Sequence, residues 1–242
     1  MAHVDVCLIA GMAGSQQGWV EAPYCACPAG FDDIARQLTW IDWAGPGRIA
    51  IVPGLSIEHN GVPDVMRGEE TQIFGALQLL ALTDARLVLP GTHSKWASVE
   101  SCRIVDFSTF MTGEFYALLR RHSLLARTMP EAEPPADEAA FEQGVRHALA
   151  SRGLLNTAFS TRTLSLFQRL DSAALPSYLS GLVIGEELKS QGLQPGETVL
   201  VLGADALAAR YAQALNIVGV TAQAVDVGVT WLGLSAFADT LP

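Results

Sequence analysis

The chain has 242 residues, half of them hydrophobic and 17% charged, with a formal net charge of -10. That is enough apolar material for one large domain or two lobes, and it excludes a disordered chain or a disulfide scaffold. The negative balance excludes a nucleic-acid backbone as the main partner, but not a small anion such as a nucleotide, which needs only a local nest of donors.

Cys25 and Cys27, two of the four cysteines, are one residue apart, too close for a zinc knuckle. No signal peptide is visible, and no apolar run nears the ~20 residues that span a bilayer. The expectation is a soluble, cytoplasmic protein without a membrane partner.

Residues 4–10 form a mostly apolar run that stops at Gly11-Met-Ala-Gly14, as a buried strand stops at a glycine loop. No strand precedes it, so later segments or residues upstream must complete its sheet. The loop continues through Ser15, Gln17, Trp19, Glu21 and Tyr24. These side chains suit a polyhydroxylated ligand, by stacking and hydrogen bonding, or else form a surface loop pinned by Trp19 and Tyr24. A short amphipathic helix over residues 31–38 and a strand over 48–52 follow. Pro63-Asp64 reads as the start of a helix that becomes apolar over 73–82. Asp64, Arg67, Glu69 and Glu70 fall within seven residues. They are either helical ion pairs or a general base and magnesium-water ligand beside a carboxylate-binding arginine.

Leu87-Val-Leu-Pro-Gly-Thr-His-Ser-Lys-Trp96 and the run 104–110 read as strand, tight polar turn, strand. The turn can offer backbone N–H groups, the Thr92 and Ser94 hydroxyls and the Lys95 ammonium to one phosphate, or it is an ordinary solvated hairpin. Helices are expected over 112–125, with Thr112 able to cap, and over 141–150, 164–170 and 177–191. The proline-rich acidic stretch 129–138 is a loop. A buried strand over 198–203 enters Gly203-Ala-Asp205, and a helix (206–215), a strand (222–225) and a helix (228–237) follow. The order is that of an α/β protein with a partly parallel sheet.

The segments GMAGSQQGWVEAPY, IVPGLS, PDVMRGEETQIFGAL, LPGTHSKW, FSTFMTGEFYALLRRHSLL, FSTRTLSLF, LPSYLSGLVIGEEL and VLVLGADALAARYAQAL occur in succession. Together they closely resemble the 2-dehydro-3-deoxygalactonokinase family of actin-like sugar kinases, over nearly the whole chain. The resemblance implies a two-lobed actin-like/ribonuclease H-like fold with ATP and Mg2+ in the cleft. It implies phosphate transfer to the terminal hydroxyl of 2-dehydro-3-deoxy-D-galactonate.

Members of that family ordinarily begin further upstream, with a hairpin carrying an Asp-Trp-Gly-Thr-Thr-like phosphate loop. An incomplete first lobe over residues 1–84 and a nearly complete second lobe over 85–242 are therefore expected. A kinase for another sugar acid and a catalytically impaired remnant that still binds nucleotide are the alternatives, and a homodimer is left open. By the same resemblance Gly91, Thr92, His93, Ser94 and Lys95 cradle the nucleotide phosphates, and Gly203, Ala204 and Asp205 lie below the adenosine. Asp64, with Glu70 second, is the base, and Arg67 takes the substrate carboxylate. Gly14, Ser15, Gln17, Trp19 and Glu21 line the sugar pocket, and no metal ligand is assigned.

Overall fold

The structure, a computed structural model, describes residues 6–241. In chain order it runs β1 (Val6–Ile9), β2 (Tyr24–Ala26), β3 (Ala29–Gly30), α1 (Phe31–Ala35), β4 (Thr39–Ile41) and β5 (Arg48–Ile51). β6 (Gly54–His59), β7 (Val62–Met66) and α2 (Glu69–Leu80) come next. β8 (Ala85–Leu89), β9 (Ser94–Glu100) and β10 (Arg103–Phe110) form a meander that leads into α3 (Thr112–His122). The helices α4 (Glu138–Leu149), α5 (Leu154–Thr157), α6 (Ser160–Leu166) and α7 (Leu175–Lys189) follow. β11 (Thr198–Leu202), α8 (Asp205–Ile217), β12 (Thr221–Val225) and α9 (Val229–Asp239) end the described chain. Residues 4 and 5 of the first expected strand lie outside the described residues.

The strands make a six-stranded sheet, β12-β11-β8-β9-β10-β3, and two three-stranded ones, β1-β5-β4 and β2-β6-β7. β11 lies parallel to both β12 and β8, and β8, β9 and β10 pair antiparallel. Strand period two explains why the central runs are apolar at nearly every position. Leu87, Leu89, Leu200 and Leu202 point into one core with Ile73, Phe74 and Phe237. Val88, Trp96, Val199 and Val201 point into the other with Phe141, Val183 and Tyr211. Each face of the large sheet is thus covered by helices.

Contacts between whole elements cross the expected boundary at residue 84. β3 pairs with β10 in the large sheet. α2 meets α9 backbone to backbone: a Cβ on Gly75 would lie 1.9 Å from the Val229 carbonyl, and one on Gly233 2.0 Å from that of Thr71.

The expected helix start at Pro63-Asp64 is a correction. These residues lie on β7, paired antiparallel with β6, and the helix begins at Glu69. Proline is tolerated there because β7 is the edge of its sheet. Thr112 opens its helix, as expected, but its hydroxyl does not cap it; the hydroxyl turns inward to Glu187.

Candidate active site

β8 and β11 are parallel, so the loops after them open at one edge of the sheet, where ligands bind in open α/β sheets. A cleft of about 660 Å³ lies there. Its walls come from the loop after β1 (Gly11, Met12, Ser15), from Tyr24, from the β7–α2 junction (Val65–Glu69, Gln72), from the β8–β9 turn (Pro90–His93, Lys95) and from Leu202–Ala204 with Val227. The glycines let the loops close in. Gly68 has a φ of 105°, and a Cβ on it would sit 3.1 Å from the Gly11 Cα.

Arg67 dominates the polar floor. Its guanidinium stacks on Tyr24 at 4.3 Å from the ring centroid, and Nη2 donates to the Ala22 carbonyl at 2.7 Å. Nε and Nη1 are buried without a hydrogen-bond partner, as is the Ser15 hydroxyl. Gly14 is glycine because a Cβ there would lie 2.6 Å from Ile51 Cγ2 and 2.9 Å from Arg67 Nη1. At the start of α2, the Arg67 N–H donates to Glu69 Oε2 at 2.9 Å and the Gly68 N–H to Glu70 Oε2 at 2.7 Å. Both carboxylates sit at the helix N-terminus, where the dipole favours them. Glu70 is fully buried, its Oε1 has no partner, and burial pushes its carboxyl up to about 8.

The cleft gathers Ser15, Arg67, Gly91, Thr92, His93, Lys95, Gly203 and Ala204 of the expected residues. Gln17, Trp19 and Glu21 are exposed on the loop beyond it, and Asp205 is exposed at the start of α8. Asp64 does not line the cleft. Its carboxylate accepts from Val65 N at 2.7 Å, from Thr109 N at 2.7 Å and from the Thr109 hydroxyl at 2.6 Å, tying β7 to β10. Lys95 is another correction: it sits on β9 rather than in an exposed turn, is 6% exposed, and donates to the Thr109 hydroxyl at 2.9 Å. Ser94 is fully buried and donates to Glu187 at 2.8 Å, away from the cleft.

A second cavity of about 240 Å³ adjoins the cleft at Gly91. Val183, Ile184, Ala206 and Leu207 give it apolar walls, and Thr112, Tyr116, Ser180, Arg210 and Tyr211 bring polar groups. The Tyr116 hydroxyl is buried there with no hydrogen-bond partner. Sequence reasoning missed this cavity, since its walls come from three helices far apart in the chain. It noted Glu69 only among the carboxylates near Arg67 and passed over Gln72, although one helical turn from Glu69 to Gln72 could have shown that they share a face.

The cleft of glycine turns, an anion-ready arginine and helix-start carboxylates has close relatives. The profile of the family described as 2-keto-3-deoxy-galactonokinase matches residues 2–237. The 2-dehydro-3-deoxygalactonokinase of Escherichia coli is 39% identical over 223 residues, 90% of this chain and 74% of that protein. A protein named as a 2-dehydro-3-deoxygalactonokinase in Rhizobium meliloti is 38% identical over 242 residues, 98% of this chain and 78% of its own. A crystal structure assigned to such a protein from Sinorhizobium meliloti superposes with a TM-score of 0.90 at 37% identity, covering 98% of this chain and 80% of that one. With a profile match over residues 2–237 and relatives this similar, the chain belongs to the 2-keto-3-deoxy-galactonokinase family.

Proposed function

We propose that this chain transfers the γ-phosphoryl group of ATP to the terminal hydroxyl of 2-dehydro-3-deoxy-D-galactonate, forming the 6-phosphate in D-galactonate breakdown. The observation that carries the sugar-acid half is Arg67. Two buried guanidinium N–H groups without partners are costly unless a ligand fills them, and a carboxylate is the anion a guanidinium binds best. The unpartnered Ser15 hydroxyl is a further donor on the same wall. Gly14 gives Arg67 room, and Gln17, Trp19 and Glu21 stand on the loop that would border the sugar. The overall arrangement is then a two-lobed actin-like kinase, with residues 1–84 on the substrate side and 85–242 on the nucleotide side.

The β8–β9 turn supplies the phosphate half. Gly91, Thr92 and His93 present backbone and side-chain donors, Lys95 adds a charge, and Gly203 and Ala204 let the ribose approach. The apolar cavity beyond Gly91 is sized for a nucleobase, and the free Tyr116 hydroxyl suits a base edge.

Phosphoryl transfer asks the protein mainly for positioning and charge. The sugar oxygen bonds to the γ-phosphorus, the bond from that phosphorus to the bridging oxygen of ADP breaks, and the hydroxyl proton passes to a carboxylate. We place that base at the start of α2, on Glu69, which lines the cleft, with Glu70 behind it. Asp64 is the weaker candidate, because both its oxygens are engaged by β10 and β7. Mg2+ fits this donor set. Among the described residues no three-ligand cluster exists, but the ion is usually held by one or two carboxylates, waters and the phosphates themselves. Glu69 would face it, and the ion would neutralise phosphate charge.

A panel of sugar acids, with ADP release as the readout, tests this proposal. Turnover should be highest with 2-dehydro-3-deoxy-D-galactonate and should vanish when its carboxylate is replaced by a neutral group. ATP binding with no transfer to any sugar acid would refute the kinase reading.

A further inference from the structure

The phosphate turn is seated on α3, and both sides of that seat end on one carboxylate. Glu114 N donates to the Thr92 carbonyl at 3.0 Å. A Cβ on Gly113 would lie 2.4 Å from the Gly91 oxygen and 2.9 Å from the Thr92 Cα, so no side chain fits between turn and helix. Ser94, which closes the turn, donates to Glu187 Oε1 at 2.8 Å, and Thr112, which opens α3, donates to Glu187 Oε2. Trp96 Nε1 reaches Oε1 at 2.6 Å, and the Tyr211 hydroxyl reaches Oε2 at 2.7 Å from α8. All five side chains are buried. A carboxylate this deep is tolerated only when its lone pairs are filled, and here three elements fill them. Neither Glu187 nor Ser94 lines the cleft or the apolar cavity beside it.

We propose that Glu187 is the positioning residue for the nucleotide phosphates. It holds the Gly91–Thr92–His93 turn against α3 through Ser94 on one side and Thr112 on the other. Ser94 then steadies the turn from behind and does not touch the phosphates. This inference rests on the proposal that the turn is the phosphate site.

The donors also predict which substitution is tolerated. An indole N–H can only donate, so in Glu187→Gln the amide oxygen must face Trp96 and Ser94. The amide nitrogen then faces Thr112 and Tyr211, whose hydroxyls can turn to accept. Glu187→Met removes the acceptor altogether.

Calorimetric titrations of the whole chain with ATP, and separately with 2-dehydro-3-deoxy-D-galactonate, test the proposal. Ser94→Ala and Thr112→Val should each weaken ATP binding about tenfold, the scale of one lost hydrogen bond to a charged group, while sugar-acid binding stays within about twofold. Thr112→Ser should restore ATP binding, and Glu187→Gln should stay within about threefold of the parent. Should Glu187→Met fail to fold, Ser94→Ala decides, since Ser94 lines neither the cleft nor the apolar cavity and its loss leaves Glu187 three donors. Variants that melt lower yet bind ATP like the parent would reduce Glu187 to a structural role, and equal losses of both ligands would overturn the proposal as well. A parent chain that binds the sugar acid but no ATP would instead overturn the phosphate site itself, and the positioning role with it.

Discussion

Among the described residues two glutamates are buried, and burial pushes both carboxyls upward, but their surroundings differ. Glu187 has four donors around it, from β9, α3 and α8. Glu70 has the Gly68 N–H on one oxygen and nothing on the other, and it lies near an arginine with two unfilled N–H edges. A filled network is scaffold, because every polar group has exchanged water for a fixed partner. An unfilled one leaves buried groups without partners, and for Arg67 the proposed function assigns that place to a ligand.

Glu187→Ala gives the largest effect that can break this contrast. It strands four buried donors and should lower unfolding free energy by about 4 kcal/mol or more, at about 1–3 kcal/mol for each unsatisfied group. Denaturant titration measures this, and a loss below about 1 kcal/mol would mean the network holds nothing. On the unfilled side the balance reverses. Arg67→Met should weaken sugar-acid binding about 100-fold, or about 2.7 kcal/mol, with stability changed by no more than about 1 kcal/mol. A large melting shift with intact binding would move Arg67 to the scaffold.

Glu70 sharpens the contrast through pH. In the folded protein it holds its proton up to about pH 8, and in the unfolded chain only to its ordinary 4.5. Between those values the folded state binds more protons, so stability is fully present below 4.5 and is lost as pH rises toward 8. The slope is about 1.4 kcal/mol per pH unit. Glu70→Gln cannot ionise, so its melting temperature relative to the parent should climb from pH 5 to pH 8. A constant difference across that window would mean that Glu70 is ionised throughout. The smallest effect belongs to Trp19→Ala. Trp19 is 55% exposed and outside both networks, so its loss should change stability by no more than about 0.5 kcal/mol. Sugar-acid binding should fall less than about threefold, and a larger drop would bring the loop onto the bound sugar.

The sequence was most readable where burial is symmetrical. β8 and β11 are apolar at nearly every position because both faces of the sheet are covered, and the pattern needs no knowledge of what covers them. The β6–β7 hairpin was missed, since Pro63 and Asp64 argue against a strand. Yet Asn60-Gly61 marked it: both residues adopt positive φ, 52° and 80°, the signature of a two-residue hairpin turn. Arg67, the glycine turns and the Gly91–Lys95 segment were legible as chemistry, because their residue types alone suit anions.

By itself, then, the sequence determined the family and the central strands, and it singled out side chains whose chemistry suits anions. Only the tertiary structure decided which carboxylates are buried and which donors they meet. Asp64, Glu69, Glu70 and Glu187 look alike in a sequence, and their roles depend on desolvation and on partners far along the chain. Asp64 is joined to Thr109, 45 residues on, and Glu187 to Ser94, 93 residues back. A carboxylate's chemistry is set by the water it loses and the donors it gains, and both are fixed only when distant segments meet.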